Sequence, residues 1–237
     1  MPSAALLADT VAEQFVAAAG DAIQARGEFV VALSGGATPR GTYERLATEP
    51  LVTPVMWSRV QVVWGDERCV PPDHAASNYR MARETLLDHV PVPAAHVHRI
   101  HGEDDPVAAA ACYDATLRAL LKTPAGPPRA LPGTRIDLVV LGLGDDGHTA
   151  SLFPGSAAAR EQTRWVVAEH AAAVSMWRVT LTAAVINAAA DVLFLVSGGA
   201  KAAILRRVLE GPHRPQELPA QRFAPSNGRV RWCVDAA

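Results

Sequence analysis

The 237-residue chain is 49% apolar with a formal net charge of −2, which is enough material for a large α/β core and leaves no electrostatic footprint for nucleic acid or a membrane surface. No apolar run approaches the roughly 20 residues that span a bilayer, and the opening MPSAALLADTVAEQF lacks the basic start and apolar stretch of a signal peptide, so a cytoplasmic location is expected. Three widely spaced cysteines, Cys69, Cys112 and Cys233, fit reduced thiols and neither a disulfide framework nor a zinc knuckle.

In chain order, apolar residues at helical spacing (Leu7, Val11, Phe15, Ala18, Ala22) predict a helix over Ala4 to Ala25 that closes near Gly27. Phe29 to Leu33 is a short β-rich run that breaks into Ser34-Gly35-Gly36-Ala37-Thr38-Pro39, with a helix expected to start near Pro39 and run past Leu46. A second strand, Val60 to Trp64, ends in Gly65-Asp66-Glu67-Arg68. Ser77 is placed to cap a helix from Asn78 to about His89. A short strand near Val97 to Ile100 and a helix from Pro106 to Leu121 follow, then a proline-rich surface loop from Thr123 to Gly133.

Ile136 to Leu141, apolar but for Asp137, has the pattern of a strand buried on both faces of a parallel sheet. It opens at once into Gly142-Leu143-Gly144-Asp145-Asp146-Gly147-His148. Trp165 to Ala168, Ser175 to Leu181 and a helix through Val185 to Ala189 come next. Val192 to Val196 is another apolar strand, opening into Ser197-Gly198-Gly199-Ala200-Lys201 ahead of a helix to Leu209. Beyond an irregular tail, Val230 to Val234 predicts a last edge strand. Strands alternating with helices throughout imply one α/β domain, residues 1–237, with an open, mostly parallel Rossmann-like sheet and helices on both faces.

Open α/β sheets bind ligands at the carboxyl ends of their strands, and chemistry-bearing residues gather at four such ends here. The turn Ser34 to Thr38 offers unobstructed backbone N–H groups, hydroxyls and a helix N-terminus, which suits an anion; the alternative is a tight turn that needs glycine. Lys201, one of only two lysines, lies in the second glycine turn, either facing an anion or solvated at a helix start. Ala32-Leu33-Ser34-Gly35-Gly36 falls one glycine short of a serine-hydrolase nucleophile elbow. Gly142 to Gly147 matches GxGxxG, but two aspartates would face a pyrophosphate and Pro154 cuts the helix that should follow, so this loop reads as catalytic. His148 is the natural general base, with Asp146 two residues earlier to orient it. Arg68 has the planar fork that suits an oxyanion or phosphate, or it pairs within a charged loop. His96, His98 and His101 have metal-like spacing without matching carboxylates, and a solvated strand face is expected; Cys69 is either activated by Arg68 or a bystander.

These motifs, with Ser77-Asn78-Tyr79, the run His148-Thr149-Ala150-Ser151-Leu152-Phe153-Pro154-Gly155 and Arg178-Val179-Thr180-Leu181-Thr182, make the chain resemble the 6-phosphogluconolactonase family, which shares its NagB/RpiA-like fold group with glucosamine-6-phosphate deaminases. The deaminases carry Asn-Glu-Pro where this chain has Ser151 to Pro154, and they usually lack counterparts of Arg68 and Asn78. The resemblance implies a hydrolase for 6-phospho-D-glucono-1,5-lactone that needs no metal or cofactor, takes a sugar-phosphate lactone rather than nucleic acid or membrane as partner, and exists as a monomer or small homo-oligomer. It implies His148, Asp146 and Arg68 as catalytic residues. Ser34, Gly35, Gly36, Thr38, Asp66, Asn78, Gly144, Arg178 and Lys201 would then surround the substrate and its phosphate.

Overall fold

The computed structural model describes residues 1–236 except 124, 125, 127 and 129–133, so most of the proline-rich loop expected over 123–133 lies outside the described residues. Its centre is a five-stranded parallel sheet in the order β2-β1-β4-β7-β8, built from β1 (Phe29–Leu33), β2 (Val60–Trp64), β4 (Leu138–Leu141), β7 (Asp191–Val196) and β8 (Arg229–Val234). Every residue of β1, β4 and β7 is buried, as expected for strands covered on both faces, and β8 is an edge strand. The chain leaves β1 toward β2 and returns to its other side as β4, so the switch point of the sheet lies between the ends of β1 and β4.

Packing around the sheet comes from α1 (Ala4–Arg26), α2 (Ala37–Leu46), α3 (Asn78–Thr85), α4 (Pro106–Leu120), α5 (Ala157–Arg160), α6 (Ala183–Ala188) and α7 (Ala202–Glu210). Leu7, Val11 and Phe15 of α1 are buried, and the Ser3 side chain accepts from Leu6 N–H to cap the helix start. Two buried tyrosines pin the ends of neighbouring strands. The Tyr43 hydroxyl accepts from Ser34 N–H at 2.9 Å and donates to Ser34 C=O at 3.0 Å, and Tyr113 does the same for Trp64 at 2.6 and 3.2 Å. Where each strand stops is thereby fixed. Asp137 at the start of β4 accepts from Val30 N–H at 2.9 Å and from Arg26; burial pushes its carboxyl up, against the pull of that N–H and of the arginine.

Several boundaries differ from expectation. Asp66–Arg68 is not a charged loop but a strand, β3, pairing antiparallel with β6 (Met176–Leu181), which pairs in turn with β5 (Val166–Ala171). The small sheet β3-β6-β5 therefore stands beside the parallel one. Residues 97–100 form no strand; Val97 makes only an isolated parallel bridge to Val62. The helix expected over 78–89 stops at Thr85 and continues as a 3₁₀ turn over Leu87–His89. α2 begins at Ala37, not Pro39, which sits within its first turn. No helix among the described residues is long and apolar enough to cross a membrane.

Candidate active site

A cavity of about 1090 Å³ opens at the switch point, lined by the Ser34–Pro39 turn after β1, the Gly142–Ala150 loop after β4, Lys201 after β7, and Asp66, Arg68 and Arg178 from the small sheet. All twelve residues singled out in the sequence line it: Ser34, Gly35, Gly36, Thr38, Asp66, Arg68, Asn78, Gly144, Asp146, His148, Arg178 and Lys201. The residues are brought together; their parts in the site differ.

The loop after β4 is a closed turn. Gly144 N–H donates to His148 C=O at 2.8 Å, Gly147 N–H donates to Gly144 C=O at 3.0 Å, and the Thr149 hydroxyl donates to Gly142 C=O at 2.7 Å. Within it the His148 ring Nδ1 meets Asp146 Oδ1 at 2.5 Å, and the His148 N–H donates to the same oxygen at 3.0 Å. One carboxylate thus fixes both the backbone and the ring. Partial burial raises the Asp146 carboxyl, but the His148 N–H and the imidazole outweigh this and hold it below the usual carboxylate range, so it stays ionised. The ring also leans on Phe153, with centroids 4.7 Å apart. A β-carbon at position 144 would lie 2.1 Å from His148 Nδ1, so only glycine lets the ring sit here. His148 remains 31% exposed, which leaves its edge reachable from the cavity.

No helix follows this turn directly; the next, α5, begins only at Ala157. The dinucleotide pattern thus lacks the dipole it would need. The turn after β1 is different. It leads straight into α2, whose N-cap, Gly36, offers no side chain to the free N–H groups of the first turn. At Gly35 an added β-carbon would lie 1.8 Å from Asn78 Oδ1, so the asparagine packs flat against this turn.

The small sheet supplies positive charge. Arg68 and Arg178 are directly opposed across the β3–β6 ladder. Arg68 donates through Nη1 to Ala76 C=O at 2.6 Å, while the Nε atoms of both arginines are buried without a hydrogen-bond partner. Burial, and then the charge of Arg68, pull the Arg178 guanidinium below its ordinary range, against the carboxylates of Asp66 and Glu67. Two adjacent cations with unused donors form a site that calls for an anion.

Asp66 has both carboxylate oxygens engaged: Oδ1 accepts from Asn78 Nδ2 at 3.2 Å and Oδ2 from the Ser151 hydroxyl at 2.6 Å. Lys201 Nζ donates to Asp145 Oδ1 at 2.6 Å, linking the glycine turn after β7 to the loop after β4. The Ser34 hydroxyl is buried without a hydrogen-bond partner, so the serine–histidine pair a serine nucleophile requires is not assembled.

Residues missed in the sequence are those that hold the others. Glu67, 3% exposed, accepts from Arg68, Asn78 and Tyr79 N–H and from the Ser77 hydroxyl, at 2.7 to 3.0 Å. Ser151 is fully buried behind the His148 loop. A side chain three residues past a candidate base is a signal that sequence carries; a carboxylate reaching the start of a helix beyond a proline pair is not. Glu169 and His170 of β5 also line the cavity. Cys69 is a bystander, because burial, and then Glu67, push its thiol up to about 11. His98 bonds Gln61 at 2.8 Å, His101 faces Asp104 at 3.7 Å, and no group of three or more His, Cys, Asp or Glu among the described residues is arranged to hold a metal.

Comparison with known proteins gives a consistent family. The sequence profile described as glucosamine-6-phosphate isomerases/6-phosphogluconolactonase matches residues 2–232. A 6-phosphogluconolactonase of Nostoc sp. is 39% identical over 217 residues, 91% of this chain and 85% of that protein. One from Haemophilus influenzae is 33% identical over 236 residues, 100% of this chain and 95% of its own. Among solved structures, 6-phosphogluconolactonase from Trypanosoma cruzi superposes with a TM-score of 0.85 at 31% identity, covering 99% of this chain and 92% of that one.

Proposed function

The chain belongs to the family of glucosamine-6-phosphate isomerases and 6-phosphogluconolactonases, and from that premise we propose that it hydrolyses 6-phospho-D-glucono-1,5-lactone to 6-phospho-D-gluconate, a step of the oxidative pentose phosphate pathway. The observation that carries this reading is a shared cavity: an imidazole held by Asp146 and two unneutralised arginines line the same space. A lactone with a phosphate at its far end needs both.

The phosphate, carrying about −1.5 to −2 charges at neutral pH, is taken by Arg68 and Arg178, the Gly35-Gly36 turn, Thr38 at the start of α2, and Lys201, which exchanges Asp145 for the dianion. Binding energy spent there aligns the carbonyl carbon C1 with His148. His148 Nε2 takes a proton from water as the water oxygen bonds to C1, and negative charge moves to the carbonyl oxygen. Collapse of this tetrahedral species breaks the bond from C1 to the ring oxygen. The imidazolium returns its proton to that oxygen, leaving a carboxylic acid that ionises. Asp146 keeps the ring in the tautomer with Nε2 free and stabilises the imidazolium. No covalent intermediate is required, in keeping with the unpaired Ser34.

The test is direct: 6-phosphogluconolactone consumption, corrected for spontaneous opening, against ammonia release from glucosamine 6-phosphate. Lactone hydrolysis that is lost in His148→Ala is expected. Ammonia release without lactone hydrolysis would overturn the proposal in favour of a deaminase, a reading already disfavoured by Ser151-Leu152-Phe153-Pro154 in place of Asn-Glu-Pro.

A further inference from the structure

We propose that Ser151 is a positioning residue for phosphate recognition: its hydroxyl holds the Asp66 carboxylate away from Arg68 and Arg178 and so keeps both guanidiniums available to the substrate. This rests on the reading of the cavity as a phosphosugar site.

The register of the small sheet creates the need. Asp66 opposes Thr180 and Arg68 opposes Arg178. Because side chains alternate along a strand, Asp66, Arg68, Arg178 and Thr180 share one face. Asp66 is two residues from Arg68 along β3 and diagonal to Arg178 across the ladder, a separation of about 7–8 Å that long side chains bridge. An aspartate so placed is the obvious partner for either guanidinium, and such a pair would cancel the charge that recognises a phosphate.

The fold directs that carboxylate elsewhere. Its oxygens take the Ser151 hydroxyl at 2.6 Å and Asn78 Nδ2 at 3.2 Å. The next residue is treated alike, since both Glu67 oxygens are filled by Ser77 Oγ and three main-chain N–H groups. The carboxylate that shares the arginines' face, like that of Glu67 on the other face of β3, is thus satisfied by neutral donors, while both arginine Nε atoms stay buried and unpartnered. Stability alone would favour the opposite pairing, because an uncompensated, partly buried cation is costly.

Ser151 suits this task and no direct one. It is fully buried, does not line the cavity, and is anchored by its own N–H donating to Thr180 Oγ1 at 3.2 Å. It also belongs to the loop that carries His148, so the hydroxyl that restrains Asp66 ties the base to the sheet that carries the arginines.

The experiment measures 6-phosphogluconate binding by calorimetry, with lactonase kinetics alongside, for wild type, Ser151→Ala, Asp66→Asn and the double variant. In Ser151→Ala the freed carboxylate turns to the arginines, so Kd and KM rise by about tenfold or more while kcat changes less. The double variant has no charge to restrain and binds as well as Asp66→Asn. A hydroxyl that merely fills space predicts instead that the double variant is no better than Ser151→Ala, and that result overturns the inference. Should Ser151→Ala fail to fold, the pair Asp66→Asn and double variant decides: equal Kd values support the restraint, and weaker binding by the double variant sinks it. A wild type that neither binds 6-phosphogluconate nor opens the lactone overturns the functional reading as well; a wild type that does both while Ser151→Ala binds equally overturns this inference alone.

Discussion

At Gly144 a β-carbon would lie 2.1 Å from His148 Nδ1, so Gly144→Ala must push the ring off Asp146 even though the base itself is untouched. Loss of general-base catalysis typically costs about 10²–10⁴ in rate, and both His148→Ala and Gly144→Ala should fall in that range through kcat, with KM little moved and the circular dichroism spectrum unchanged. Lys201→Ala should act in the opposite sense, mainly through KM. Full turnover by either glycine or histidine variant would remove His148 from the mechanism. The cysteines give an independent test of local electrostatics. The thiolate is the reactive form, so at pH 8 a thiol whose pKa stands near 11 is ionised only to the order of one part in a thousand. Exposed Cys112 should therefore react with a disulfide reagent well before half-buried Cys69, and Cys69 labelling should accelerate as pH climbs toward 11. Rapid Cys69 labelling at neutral pH would contradict the burial of this thiol and, after it, the placement of Glu67 beside it.

The unit formed by β3 and the start of α3 is held by Glu67, whose carboxylate receives the N–H groups of Asn78 and Tyr79 where α3 begins. Burial pushes this carboxyl above its ordinary range, against the pull of the Asn78, Tyr79 and Arg68 N–H groups. The folded state then holds its proton to higher pH than the unfolded state does. Wild-type stability must accordingly fall as pH rises from the ordinary glutamate range through the folded value, and the loss is constant above it. Glu67→Gln lacks that slope, so urea titrations across about pH 4 to 7 should find the stability advantage of wild type over the variant shrinking as pH rises. Glu67→Ala, which strands several buried donors, should cost on the order of 1–3 kcal/mol for each group left unsatisfied. This element marks where sequence reading stops. The parallel strands were legible because Val30 to Leu33 and Val192 to Val196 are apolar on both faces, and each runs into a Ser-Gly-Gly turn. Asp66-Glu67-Arg68 carries three charges in a row, so it reads as a loop; what makes it a strand is pairing with Val179 and its neighbours, a partner far away in the chain. Val97 to Ile100 errs the other way: the outer edge of β2 is open to it, but only Val97 pairs there, with Val62, and His98 N–H donates to Val62 C=O before the chain turns away.

Across the whole molecule, the candidate site is the seam between two sheets: the parallel sheet supplies the glycine turn, His148 and Lys201, and the small antiparallel sheet supplies Arg68 and Arg178. Each contribution was visible in its own motif, although a glycine-rich strand end alone reads equally well as a tight turn, and it was the combination of the motifs that pointed to an anion site beside a base. Their juxtaposition was not, since no local pattern encodes that residue 178 lies across from residue 68. A phosphosugar bound in this seam must touch both sheets, and it binds only when both are folded and docked. Its binding energy is therefore added to global stability. At a ligand concentration of about 100 Kd the added stability is about 2.7 kcal/mol, and for a chain of this size each kcal/mol moves Tm by roughly 2–4 °C. Saturating 6-phosphogluconate should then raise the wild-type Tm by about 5–10 °C. Unphosphorylated gluconate at the same concentration should leave it unmoved, because it lacks the group the arginines hold. Arg178→Ala should lose most of the shift while keeping the unliganded Tm near that of wild type or above it, since the variant removes one of two opposed cations. If gluconate protected as well as 6-phosphogluconate, or if Arg178→Ala kept the full shift, the arginine pair would not be the phosphate anchor and the seam would have to bind its ligand from the β4 side alone.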